Sequence, residues 1–314
     1  MKILFTSVGR RVELMQAFRQ AAEQLDVKLE LCGADISDTA PALAFCDYQF
    51  VVPKIRDERY LPELKKICHE NAIDALVPTI DTDLLMLAEH QHEFGKTRVI
   101  ISKPDKVALC RDKRYTADYF HSVGLKSPKP VDDWEQYDMG FPAFIKPKDG
   151  SSSISAYRVE NQEELKAYAA QVPDYIIQPF ISGTEYTVDA FCDFDGNPVL
   201  ITPRIRLAVR SGEVLKTEIA QDDKIIAEMK QLLEDFKPCG QITVQLIRDT
   251  KSGDDYYIEI NPRFGGGAPL SMKAGADSAE MLLRLLRGES LPYQGKVAEN
   301  GAVYSRFDQS IRVK

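Results

Sequence analysis

The sequence is poor in the features that usually announce a metal, a membrane or a disulfide framework. It has 4 histidines in 314 residues. His90 and His92 stand two apart on a helical stretch and so point to different faces, which argues against a zinc site. The cysteines Cys32, Cys46, Cys68, Cys110, Cys192 and Cys239 show no paired spacing. In a chain this long they read as reduced, mostly buried thiols of a cytoplasmic protein. No apolar run approaches the ~18 residues of a membrane span, and no signal peptide is expected ahead of the opening strand Lys2 to Ser7. Lys and Arg number 40 against 48 Asp and Glu, for a net charge of −8. General nucleic-acid affinity, which needs a basic face, is not expected. Any anionic ligand must be held by local cations and backbone amides against that field. Glycine patterning is also thin. G-x-G-x-x-G is absent from the turn after the first strand, where Gly9 is followed by Arg10 and Arg11, and G-x-x-x-x-G-K-[ST] is absent too. A dinucleotide fingerprint and a P-loop are therefore both missing, although Asp35 closes strand two as such a fingerprint would require.

What is present is an ample core. Hydrophobic residues make up 44% of the chain, enough for two or three packed units. Residues 1 to about 103 alternate short apolar strands (3–6, 29–34, 49–52, 75–78, 98–101) with amphipathic helices such as 11–25 and 60–70. That pattern indicates right-handed βαβ units and a parallel sheet, with ligands at the carboxyl ends of the strands. Those ends carry Ser7 to Arg11, Asp35 and Thr79 to Asp83. The two arginines could greet an anion at a helix N-terminus or simply be solvated. A helical connector is expected over 104–125, then a small α+β unit over about 126–180 with strands at 141–147, 154–159 and 175–179 and a helix at 162–170. Longer strands at 186–192 and 198–209, a helix near 223–235, two helical stretches from 268 to about 286, and a tail strand within 301–313 complete the reading.

The most informative stretch is a hairpin. Its second strand, Tyr256 to Arg263, brings Glu259 and Asn261 to one face by the period of two, and Gln245 on the first strand can lie opposite. One carboxylate and two amide oxygens are hard ligands of the kind Mg²⁺ accepts when phosphates and water complete the octahedron. The bland alternative is a solvated acidic hairpin. Arg263 follows a strand-ending Pro262 with a planar fork suited to phosphate or carboxylate. Upstream, Lys113 and Lys146 border the small unit, and Lys146 sits inside an apolar strand, an unusual place for a merely solvated lysine. The loop Lys148 to Ser153 has one glycine and three small hydroxyl residues, whose N–H groups could close over phosphates. Around Phe180 and Ile181 an extended backbone could pair with a purine edge, and Glu185 could accept from ribose hydroxyls. A turn between two strands is the plainer reading of that segment. Arg204, Arg206 and Arg210 alternate along one strand and share a face, which suits an anion or a row of acidic neighbours.

In this order and spacing the pieces resemble the ATP-grasp superfamily, on the branch near the carbamoyl-phosphate synthase large subunit and stand-alone carboxylate–amine ligases. Gln245 with Glu259-Ile260-Asn261-Pro262-Arg263 is the most specific match. The resemblance implies an α/β chain: a Rossmann-like pre-ATP-grasp domain over 1–103, then an ATP-grasp fold of two α+β subdomains over 104–314 with 126–180 as a small lid. It implies that Lys113, Lys146 and Ser151, Ser152 and Ser153 bind ATP phosphates, that Gln178 with the Phe180 and Ile181 backbone reads adenine, and that Glu185 binds ribose. Gln245, Glu259 and Asn261 would hold one or two Mg²⁺ ions, with Mn²⁺ an alternative. Arg263 and Lys146 would be catalytic. Relatives often carry Glu where this chain has Gln178, and the loop has a single glycine where several relatives have more.

The reaction so implied activates a small-molecule carboxylate as an acyl-phosphate for attack by an amine or similar nucleophile. Phosphorylation of bicarbonate or carbamate, as in carbamoyl-phosphate synthase, is the alternative within enzymes, and a non-catalytic ATP-binding module the alternative outside them. Substrate would lie among Arg204, Arg206, Gly266 and Asp81. Asp81 could meet an ammonium group, or Asp81 and Asp83 could cap the helix beginning near Leu84. The partners expected are the carboxylate and its nucleophile, with no nucleic acid or membrane, and a homodimer is admitted.

Overall fold

The computed structural model describes residues 1–150 and 154–314. Ser151, Ser152 and Ser153, assigned above to a phosphate loop, lie outside the described residues. The N-terminal part runs β1 (Lys2–Thr6), α1 (Val12–Gln24), β2 (Glu30–Asp35), β3 (Tyr48–Val51), α2 (Tyr60–Glu70), β4 (Ala75–Pro78), α3 (Leu84–Glu89) and β5 (Arg98–Val99). Its sheet is parallel, in the order β3-β2-β1-β4-β5. Helices cover β1, β2 and β4 on both faces, which is why these strands read as unbroken apolar runs rather than alternating ones. The strand order reverses between β1 and β4, and that opens a crevice at their carboxyl ends.

The connector is two helices, α4 (Pro104–Arg111) and α5 (Lys113–Ser122), where one was expected. Asp112 breaks them: its backbone is extended and its carboxylate accepts the Arg114 N–H at 2.9 Å, an N-cap that restarts the helix with Lys113 as its first residue. The small sheet follows, with β6 (Ala143–Pro147), β7 (Tyr157–Val159), α6 (Gln162–Ala169) and β8 (Tyr175–Pro179) in the order β7-β6-β8. β7 begins later than Ile154 because Ser155 takes a left-handed conformation, with φ at 55°.

The large sheet contains β9 (Gly183–Cys192), β10 (Pro198–Arg210), β11 (Glu213–Ile219), then, after α7 (Asp223–Phe236), β12 (Gly240–Asp249) and β13 (Asp255–Asn261). Two helices, α8 (Ala268–Lys273) and α9 (Ser278–Leu286), precede β14 (Val303–Ser305). The order is β13-β12-β9-β10-β11-β14. β11 was not foreseen, and the expected tail strand shrinks to the three residues that pair with Lys216 to Glu218. Among the described residues no helix is long and apolar enough to cross a membrane.

The pleat of the large sheet separates its chemistry. Val188, Ala190, Ile201, Ile242, Val244, Leu246, Tyr257 and Ile260 fall on one face and pack in a core with Phe120 of α5 and Met229 and Leu233 of α7. The residues between them fall on the other face, where Gln245 pairs in register with Glu259 and with Thr187, and Thr243 with Asn261 and with Asp189. A one-residue slip would exchange the two faces, so the buried apolar face fixes where the polar one points. A separate core joins the N-terminal sheet to the C-terminal helices. Phe18 of α1 stands edge-on to Phe5 and Phe264, at 4.9 and 5.8 Å between ring centroids, with Phe191 and Leu282 in the same cluster.

The hairpin is pinned from beneath. Asp255, its carboxylate wholly buried, accepts two bonds from Arg248, at 2.7 and 2.8 Å, and lies 2.9 Å from Lys224 of α7. Arg248 also reaches Asp222, the N-cap of α7. Replacing Asp255 by Ala leaves Arg248 and Lys224 without their shared partner, and the expected loss is about 3–5 kcal/mol in denaturant unfolding. A loss under ~1 kcal/mol would mean that water satisfies the cations and the hairpin needs no such anchor.

The six cysteines are all free. Burial pushes the Cys46 and Cys68 thiols up to about 12, far from a reactive thiolate.

Candidate active site

Between the small sheet and the polar face of the large one lies a cavity of about 290 Å³, lined among others by Lys113, Lys146, Glu185, Arg206, Gln245 and Glu259. A wider depression of about 550 Å³ is bounded by Arg114, Asp132, Lys148 and Tyr175, and none of the cavity's candidate residues lines it.

Local structure explains each position. In β6, Ala143 and Ile145 turn into the core of the small unit with Val159, Leu165 and Ile177. Alternation therefore sends Phe144 and Lys146 to the opposite side, into the cavity. Lys146 is only 8% exposed. Burial, and the Lys113 charge beside it, lower its pKa to about 8, against the pull of Glu259. Lys113 arrives from the start of α5, and its Nζ donates to the Gly150 carbonyl at 2.9 Å. Its pKa is lowered by burial and held up chiefly by Glu259. One buried and one part-buried ammonium group thus face one carboxylate, an arrangement that favours a polyanion between them.

On the opposite wall, Glu259 accepts from Asn261 Nδ2 at 2.9 Å, and Gln245 faces it across the β12–β13 ladder. A turn of the Asn261 amide would exchange nitrogen for oxygen at that point. The donor set is then oxygen only, with a single carboxylate. Among the described residues no group of three or more His, Cys, Asp or Glu could hold a metal by itself. The set fits a hard cation such as Mg²⁺ or Mn²⁺ that takes its remaining ligands from phosphate and water, and lacks the thiolate and imidazole ligands that suit zinc or copper.

Other candidates lie differently from the sequence reading. Gln178 is buried, its amide donates to the Pro128 carbonyl at 2.6 Å, and it pairs in register with Phe144 of β6. The Phe180 N–H donates to the Pro142 carbonyl at 3.1 Å, so it is not among the backbone groups left to face a purine. Among the described residues the Phe180 carbonyl and the Ile181 N–H accept and donate no such bond. Glu185 lies 3.4 Å from Arg206 Nε on the cavity wall. The arginine row of β10 is divided by burial and by bulges after Arg206 and Ala208. Arg204 is 2% exposed and bonds Asp189 at 2.8 Å, Arg206 lines the cavity, and Arg210 pairs with Asp308 at the sheet's exposed end.

Arg263 extends the line of Glu259 and Asn261 toward the N-terminal sheet. Its Nη2 bonds Asp81 at 2.6 Å and Asn261 Oδ1 at 3.3 Å. Asp81 is therefore half of an ion pair across the crevice, and a substrate ammonium would have to share it. Neither Asp81 nor Asp83 caps α3 through its side chain. Asp83 turns inward instead, where Thr6 Oγ1 and Tyr60 OH donate to it at 3.0 and 2.9 Å and burial raises its pKa to about 6. Asp35 accepts the N–H groups of Gly9 and Ser37, so its carboxylate holds the first turn together. The sequence reading missed the buried cluster around Asp189, which also accepts from Thr243 and Ser271. A charged residue inside the apolar run Val188 to Phe191 was the signal that could have found it.

Two family descriptions match the chain: a PylC-like, N-terminal domain over residues 3–102 and an ATP-grasp domain over 110–267. The carbamoyl phosphate synthase large chain of Thermomicrobium roseum is 26% identical over 219 residues, which is 61% of this chain and 20% of that one. D-alanine--D-alanine ligase B of Clostridium perfringens is 27% identical over 161 residues, 44% of this chain and 52% of that one. The chain thus spans about a fifth and about half of the length of these curated relatives. Among solved structures, the biotin carboxylase domain of Hydrogenobacter thermophilus 2-oxoglutarate carboxylase, a dimer in complex with MgADP, ADP and bicarbonate, superposes with a TM-score of 0.78 at 18% identity over 96% of this chain and 73% of that one. With the ATP-grasp description covering half its length, the chain belongs to the ATP-grasp family.

Proposed function

We propose that the protein is an ATP- and Mg²⁺-dependent ligase that activates a small-molecule carboxylate as an acyl-phosphate and passes the acyl group to an amine or similar nucleophile. The observation that supports it most is the opposed geometry of the cleft: Lys113 and Lys146 on one wall, Glu259 and Gln245 on the other, and Arg263 leading out of it toward the N-terminal crevice. In this reading the lysines bind the phosphates, and the serine loop at 151–153 closes over them. The Ile181 N–H and Phe180 carbonyl read adenine, Glu185 takes the ribose, and the small unit acts as a lid. Gln245, Glu259 and Asn261 hold one or two Mg²⁺ ions, whose contribution is to neutralise charge on the transferring phosphate.

A substrate carboxylate oxygen attacks the γ-phosphorus in line, and ADP leaves. The amine then attacks the acyl carbon, and phosphate leaves. Most of the work is positioning and charge neutralisation by Lys146 and Arg263, in a cleft from which closure excludes water. A binding module without catalysis would have no need to keep this ligand set intact beside Arg263. Nucleotide binding is expected to require Mg²⁺ and to prefer ATP over GTP, because the backbone edge at Phe180 and Ile181 complements adenine. Calorimetry with and without chelator tests the point, and equal affinity in both conditions would overturn the metal assignment. A phosphate-release screen of carboxylates against amines tests the ligase reading itself. Release that depends on bicarbonate alone would point instead to bicarbonate or carbamate phosphorylation.

A further inference from the structure

At the junction between the N-terminal crevice and the C-terminal helices, the carboxylates are bonded to cations other than Arg11. Asp189 bonds Arg204 at 2.8 Å, and Asp81 bonds Arg263 at 2.6 Å. Glu13 and Glu213 bond Arg306 at 3.2 and 3.3 Å. Arg11, the residue before α1, is left over. Its hydrogen bond among the described residues runs from Nη2 to the Thr79 carbonyl at 3.2 Å. A part-buried guanidinium that bonds a carbonyl but no carboxylate carries a desolvation cost that a bonded carboxylate or phosphate would offset. Burial first, and the charge of Arg263 second, lower the Arg11 pKa to about 10, against the pull of Glu213 and Asp81.

The groups beside it are also incompletely matched. The buried Arg263 Nε and Arg204 Nη1 have no hydrogen-bond partner among the described residues. The glycine run passes between these arginines. A Cβ on Gly266 would stand 2.7 Å from Arg11 Nη1, and one on Gly267 2.5 Å from Arg204 Nη2. Bare backbone is needed there because guanidinium groups approach it from both domains. Asp81 on Arg263 shows that this fork accepts a carboxylate.

We infer that Arg11 is the receptor for a second anionic group on the small-molecule substrate, so that the protein acts on a dianion with one carboxylate beside Arg263 and a distal carboxylate or phosphate on Arg11. This rests on the ligase reading for which carboxylate is activated, but the anion site itself is a matter of binding. A monoanionic substrate would leave Arg11 without an anionic partner to bond.

The test titrates the protein, saturated with Mg-ADP, with succinate, glutarate, phosphoglycolate and the mono-amide of succinate by calorimetry, in wild type, Arg11→Gln and Arg11→Lys. Wild type is expected to bind at least one dianion tenfold or more tightly than the mono-amide. Arg11→Gln removes that preference, and Arg11→Lys restores part of it. Unchanged Mg-ADP affinity shows that the variants are folded. Tighter binding of phosphoglycolate than of either dicarboxylate identifies the distal group as a phosphate, and the reverse identifies a carboxylate. The inference is overturned if wild type binds no dianion better than the mono-amide, or if Arg11→Gln keeps the preference. The two readings fail separately. An Arg11-dependent preference without ADP release from any carboxylate and amine retains the anion site and removes the ligase. ADP release on monoanions with a KM indifferent to Arg11 does the opposite.

Discussion

Glu259→Gln is expected to abolish ATP-dependent turnover while leaving the thermal unfolding transition in place. The substitution keeps size and keeps an oxygen to accept from Asn261 Nδ2, so β13 and its ladder to β12 are undisturbed. What it removes is the only carboxylate in a ligand set otherwise built from two amides. The charge it carries also does a second job, since Glu259 is the leading group that favours the ammonium form of Lys113. Neutralising it leaves two lysines facing each other with less to hold them charged. A bound cation supplies much of the stabilisation of a transferring phosphoryl group, so the rate should fall by several powers of ten. A variant that keeps more than about a tenth of the wild-type rate has lost under ~1.4 kcal/mol of barrier, and the metal would have to lie elsewhere. Phosphate release under saturating substrate, with near-ultraviolet circular dichroism as the control for folding, decides it.

Lys146→Met is expected to weaken nucleotide binding by about one to two powers of ten, because a charge-assisted hydrogen bond contributes roughly 1.5–3 kcal/mol. The same change should make the nucleotide-free protein more stable. The folded-state pKa of Lys146 lies below its ordinary value, 10.5 falling to about 8. Between those pH values the unfolded chain binds a proton that the native one does not, so this group's penalty is full below about pH 8 and disappears as pH rises toward 10.5. Each tenfold weakening of proton binding costs ~1.4 kcal/mol, so removing the ammonium returns up to ~3 kcal/mol at neutral pH. A gain in binding energy at the cost of folding energy is what a built phosphate site should show. The pH dependence of binding runs the other way. Phosphate needs the ammonium form, so affinity should decline above about pH 8, approaching tenfold for each further step of one in pH, and ADP should take up protons on binding in that range. Calorimetry in buffers of different ionisation enthalpy measures the uptake. No proton uptake, together with an unchanged melting temperature in Lys146→Met, would return Lys146 to an ordinary solvated lysine.

Much of the architecture was readable from local pattern because local physics governs it. Uninterrupted apolar segments of four to six residues separated by amphipathic helices admit little besides a parallel sheet covered on both faces, whereas the order β3-β2-β1-β4-β5 came only from the tertiary structure. The helix at Tyr60–Glu70 and the strand at Tyr175–Pro179 fall where periodicity put them. The misses arose where a single residue changes the backbone's course: Asp112 ends one helix by capping the next, and Ser155 delays β7. β11 was overlooked because Glu213 to Ile219 shows no clean apolar period: Val214 and Leu215 are adjacent, and charged Lys216 and Glu218 flank a buried Thr217.

The candidate residues divide along the same boundary. Period two on one hairpin was enough to align Gln245, Glu259 and Asn261, since partners a ladder apart are bound by the register of a sheet with one buried face. Sequence also marked Lys146, because a lysine in an apolar strand has few reasons to be there. It could not say what each arginine meets. Arg204, Arg206 and Arg210 look alike in the chain, yet the distance of each from the sheet's centre makes one an ion pair in the core, one a wall of the cleft and one a surface contact. Asp81 and Asp83 read as two caps of one helix, whereas one crosses the crevice to Arg263, 182 residues away, and the other turns inward to Tyr60. Spacing along the chain determined which groups share a strand face or a helix turn, because backbone geometry over a few residues is nearly fixed. Which charges neutralise one another, and that Arg11 bonds no carboxylate among the described residues, was decided by the packing of α1 against the C-terminal helices, through which Phe18 and Phe264 bring residues far apart in the chain onto one crevice.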